Sequence, residues 1–77
     1  MRFKESFDLS TLCKLYDYWL HECPSGRNKN DLRFGQYIVN AYLKEGETFP
    51  ELFYMENMHM AYMIARYEIL EGDGIRG

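Results

Sequence analysis

Residues 58–70 read Met58-His59-Met60-Ala61-Tyr62-Met63-Ile64-Ala65-Arg66-Tyr67-Glu68-Ile69-Leu70. At about 100° per residue, this stretch forms a helix that is apolar on two faces. Met60, Met63, Ile64, Tyr67 and Leu70 fall on one side. Met58, Ala61, Tyr62, Ala65 and Ile69 fall on the other. Only narrow polar strips separate them, His59 with Arg66 on one seam and Glu68 on the other. A helix that is hydrophobic nearly all round has to be buried nearly all round. A short chain covers one such face readily and two with difficulty. The pattern therefore predicts an all-α domain that completes its core with a second copy or a partner. Ala61 and Ala65, one turn apart, are expected to let two copies of this helix approach, with Met58, Tyr62 and Ile69 packing around them in a symmetric dimer.

Length sets the scale of that argument. A chain of 77 residues is one domain. It buries roughly 60–65% of its extended surface, so its stability margin is thin without a disulfide, a metal or an oligomer. With 47% hydrophobic and 17% aromatic residues, there is apolar material for a core and for an interface as well.

Charge is uneven along the chain. Residues 1–44 carry seven Lys/Arg against five Asp/Glu, a net of +2, whereas residues 45–73 carry Arg66 against seven acids, a net of −6. The formal total of −3 argues against phosphate-backbone binding, which needs a basic face. An acidic, aromatic-rich half is expected either to face a basic partner or to be a solvated surface.

Working outward, Asp8 reads as the N-cap of a first helix over about Leu9 to Glu22, with Phe7 and Leu12 in the hydrophobic-staple positions. Leu9, Leu12, Tyr16, Trp19, Leu20 and Cys23 line its inner stripe, and Tyr18 is expected outside or in a contact. Pro24-Ser25-Gly26 ends it. Asp31 or Asn30 is expected to cap a second helix reaching about Glu45, with Phe34, Tyr37, Ile38 and Ala41 inward. Gly35 inside that helix costs about 1 kcal/mol relative to Ala, which implies another backbone passing close by. Gly46 reads as the residue after the helix end. Thr48-Phe49-Pro50-Glu51 reads as a capping box opening a short helical turn. The expected architecture is thus a three-helix domain with one extra turn. Residues 1–7 form an N-terminal arm, with Phe3 to Phe7 weakly extended, and 72–77 a frayed tail.

Arg33-Phe34-Gly35-Gln36-Tyr37-Ile38-Val39-Asn40, followed by Glu51-Leu52-Phe53-Tyr54-Met55-Glu56, resembles a pattern in small uncharacterised helical proteins of phages and bacteria. The likeness spans residues 31–57 and implies a compact all-α unit, often phage-borne; no activity comes with it. Read by themselves, Arg33, Gln36 and Asn40 form a polar row on one helix face. The row is expected to hydrogen-bond the turn that follows and fix the hairpin; a small-ligand site is the alternative.

The chain offers little for catalysis or metal binding. Cys13 and Cys23 on one helix stand about 15 Å apart, too far to bridge or to share a zinc. No C-x2-C pair is present, and no phosphate-loop or nucleophile-elbow motif. No enzymatic activity, cofactor or metal is expected. No segment has the roughly 18 consecutive apolar residues of a membrane span, and the start of the chain lacks the apolar run of a signal peptide, so a cytosolic location is expected, the host cytoplasm for a phage-encoded chain. The functional expectation is a homodimeric, non-enzymatic module that binds and modulates a host protein. The alternatives are an acidic DNA mimic that inhibits a nucleic-acid-binding protein, and a ligand-binding protein around Arg33, Gln36 and Asn40.

Overall fold

The computed structural model describes residues 1–74, with side chains through residue 72. The chain folds into α1 (Leu9–Glu22), α2 (Phe34–Tyr42), the single turn α3 (Pro50–Phe53) and α4 (Met58–Gly74). Helix α4 packs against all three others. Among the described residues, extended pairing is confined to two isolated antiparallel bridges, Phe3 with Leu43 and Arg27 with Arg33.

Helix α1 starts as its sequence dictates. The Asp8 carboxylate accepts a hydrogen bond from the Thr11 backbone N–H at 2.9 Å, satisfying one of the unpaired donors of the first turn. That bond holds the Asp8 carboxyl below its ordinary range. Leu12, Trp19 and Cys23 are buried, and the Trp19 indole N–H donates to the Gly26 carbonyl at 3.0 Å, tying the helix to the turn that ends it. Gly26 has φ +89°, a conformation that favours glycine. Leu20, expected inside, is 48% exposed. It lies about 80° around the helix from Leu12, on the flank of the inner stripe.

Helix α2 is shorter than expected at both ends, for two local reasons. At its start, Asn28 Oδ1 accepts from the backbone N–H groups of Asn30 (2.9 Å) and Leu32 (3.0 Å), and Asp31 takes φ +64°. Asn30 and Asp31 are therefore spent in a turn, and the helix begins at Phe34. At its end, the N-terminal arm claims the backbone: the Lys4 N–H donates to the Tyr42 carbonyl (2.7 Å) and the Lys44 N–H to the Arg2 carbonyl (2.9 Å). Leu43 is consequently extended. Gly46, with φ +87°, sits in the following turn rather than directly after the helix.

The arm itself is core. Phe3 and Phe7 have no exposed surface; their rings meet edge to face at 4.9 Å, and Phe7 stacks on Tyr42 at 4.3 Å. The expected capping box at Thr48 does not form. Burial of Phe49 sets the entry to α3, Phe49 is the cap position, and Pro50 occupies the first turn. Gly35 does face another backbone: a Cβ there would collide with the Leu52 carbonyl oxygen, so α2 and α3 touch main chain to main chain. Asn57 Oδ1 accepts from the Met60 N–H at 2.9 Å at the head of α4. The helix runs to Gly74, with Gly72 against Met1; the rest of the expected tail, 75–77, lies outside the described residues.

Candidate interaction face

Helix α4 has one inner and one outer face, and their assignment reverses the expectation. Ala61, Ala65 and Ile69 are buried inside their own subunit, at 0%, 0% and 2% exposure. Met58 and Tyr62 are half-buried against the same core. Tyr62 stacks on Tyr16 of α1 with ring centroids 4.3 Å apart, and its hydroxyl lies 3.8 Å from the Cys13 thiol. The two alanines do permit close approach, but the neighbours they admit belong to the same chain. The predicted dimer surface Met58, Ala61, Tyr62, Ala65, Ile69 is therefore the intramolecular face.

The opposite side is open. Met60 (49%), Met63 (43%), Tyr67 (66%) and Leu70 (40%) are exposed. Their spacing of three, four and three residues is that of the a and d positions of two heptads, with Met60 at a. His59, Arg66 and Glu71 are exposed as well and occupy the flanking g, g and e positions. Every exposed residue of α4 between 59 and 71 falls on a, d, e or g, and the b, c and f positions are buried or half-buried.

Beside this stripe, on the Ile64 flank, runs a groove of about 590 Å³ whose walls include Phe49, Met60, Met63, Ile64 and Tyr67. The N-terminal arm shapes its far wall. The Arg2 guanidinium lies over the Phe49 ring at 4.1 Å and 3.7 Å from the Glu51 carboxylate, and the Arg2 backbone N–H donates to Glu68 at 2.7 Å. Arg2 is thus committed within its own subunit, although its Nη1 has no hydrogen-bond acceptor. A hydrogen bond to Glu71 pushes the Tyr67 phenol above its ordinary range. Arg66 forms no ion pair among the described residues.

The predicted polar row is brought together only in part. Arg33 Nη2 donates to the Phe53 carbonyl at 2.8 Å, stitching α2 to α3 as the hairpin reading expects. Gln36 instead accepts from the Arg33 backbone N–H at 3.3 Å, closing the first turn of its own helix. Asn40 is exposed, away from both bonds. The histidines are spread: His59 Nδ1 is 3.0 Å from the Tyr16 hydroxyl, and His21 Nδ1 is 2.8 Å from the Asp17 carbonyl. Among the described residues, no three His, Cys, Asp or Glu side chains converge to hold a metal ion. No described helix is long and apolar enough to cross a membrane. No protein-family model, curated protein or solved structure matches the chain.

The sequence signal for the open face was present but divided. Both apolar faces of α4 were legible. What selects between them is the arm, α1 and α2, all of which cover the alanine side.

Proposed function

We propose that the chain is a small, non-enzymatic interaction module that docks a helix along the outer face of α4. The observation that carries this reading is the clustering of Met60, Met63, Tyr67 and Leu70 on one stripe that the subunit leaves uncovered. Contiguous apolar surface of this kind marks an interaction site, and methionine lets such a surface adapt to its partner. A module of this kind acts by occupying a helical partner rather than by chemistry. The DNA-mimic reading draws less support, since the open face is apolar along its centre and charged only at its margins.

The test is capture of partners from host lysate by tagged wild-type chain and by a Met63→Glu variant whose circular dichroism is unchanged. A second, differently tagged copy of the chain is added as one candidate partner. Docking on α4 requires that at least one captured protein, or the second copy, be lost with Met63→Glu and retained with Asn40→Asp on α2. Capture that is empty, or indifferent to residue 63, sinks the reading.

A further inference from the structure

Resting on that docking face, we propose that its occupant is α4 of a second copy, running parallel to the first in a two-heptad coiled coil. Charge on the face itself identifies the partner. In a parallel pair, a g residue of one helix meets the e residue five positions further along the other. Arg66 is at g, Glu71 is at e, and they are five residues apart. The two-fold axis forms the same pair twice. Arg66 has no ion-pair partner among the described residues. The side it would approach carries Glu71, whereas Glu68 and Glu51 in the adjacent groove are already engaged by Arg2.

An antiparallel pair centred on Ala65 would also match Met60 with Leu70 and Met63 with Tyr67. It would, however, set the two Arg66 side chains against each other across the axis, where like charges repel. The parallel arrangement instead layers Met60, Met63, Tyr67 and Leu70 each on its counterpart. The seam is short for an isolated coiled coil. Here α4 is already held helical by its own subunit, so association orders side chains and not backbone.

Sedimentation equilibrium over a micromolar concentration series tests the proposal. The wild type is expected to distribute between 9.3 kDa and twice that mass. Tyr67→Glu is expected to leave monomer with native circular dichroism. Arg66→Glu and Glu71→Arg, each placing two like-charge pairs in the seam, are each expected to weaken association about tenfold. The double variant Arg66→Glu/Glu71→Arg, which restores both pairs with reversed sign, is expected to recover it. A wild type that stays at 9.3 kDa overturns the second copy as occupant, and a protein captured in a residue-63-dependent manner would then keep the docking reading alive with a different partner. A dimer that ignores Glu71→Arg, or that the double variant does not rescue, overturns the parallel arrangement.

Discussion

Gly35 of α2 lies directly beneath the backbone carbonyl of Leu52 in α3, with no room between them for a single methyl group. That carbonyl also accepts from the Met55 N–H at 3.3 Å, so it cannot swing aside without loosening the turn into α4. Alanine would ordinarily stabilise a helix interior by about 1 kcal/mol over glycine. Here Gly35→Ala is expected to destabilise by about 1–3 kcal/mol net, because the clash is with main chain and not with a flexible side chain. A urea titration followed by the emission of buried Trp19 measures it; a stabilised variant would refute the close approach.

The arm gives the largest expected effect. Phe3 is fully buried between Phe7 and Phe49. Phe3→Ala is expected to cost about 3–5 kcal/mol, comparable to the whole margin of a domain this small. The variant should be largely unfolded at 37 °C by circular dichroism. An arm that only decorated the surface would leave the melting temperature unmoved.

Asp8 yields a pH signature with a definite sign. Its folded-state pKa is lowered from 3.8 chiefly by the hydrogen bond from the Thr11 N–H. The charged cap therefore contributes stability above the unfolded-state value, and that contribution fades as pH falls through the folded-state value. Asp8→Asn keeps a capping side chain but does not titrate. The stability of wild type relative to Asp8→Asn is expected to be flat from pH 5 to 8 and to fall below about pH 4, as read by thermal melts across that range.

The polar row divides into two residues with structural bonds, Arg33 and Gln36, and one bystander, Asn40. Arg33→Met removes a charged donor to the Phe53 carbonyl and is expected to cost about 1.5–3 kcal/mol. Asn40→Ala, on an exposed position, is expected to stay within about 0.5 kcal/mol of wild type. Paired denaturation curves separate the two; equal effects would contradict these assignments.

Thiol chemistry reports on the fold independently. Cys13 is exposed, whereas Cys23 is buried and burial pushes its thiol up. A thiol-exchange reagent at pH 8 is expected to label one cysteine promptly and the second only at the rate of opening. Peptide mapping should assign the fast site to Cys13. Prompt reaction of both would show that the end of α1 is not closed as described.

Signals confined to a few neighbouring residues were readable without coordinates. Asp8 three residues before Thr11, Pro24 after Cys23, and Gly35 within the helix-forming run of α2 each specify their own surroundings. Signals that depend on distant partners were not. Phe3 looked peripheral because Leu43 and Lys44, whose backbone pairs with the arm, are some 40 residues away. Asp31 looked like a cap because the competing acceptor, the Asn28 side chain, is as good a local hydrogen-bonding group. The inner face of α4 is the clearest case. Two alanines four residues apart indicate that something comes close, and are silent on whether it belongs to the same molecule.

The bond from the Arg2 backbone to Glu68 joins residues 66 positions apart, and Met1 lies against Gly72. During synthesis, this arm waits in water, with Phe3 and Phe7 uncovered, at least until Tyr42 and Phe49, the rings they pack on, have emerged. The domain is thereby denied a stable half-built state on the ribosome, and its hydrophobic arm is available in that interval to any chaperone that recognises exposed phenylalanine.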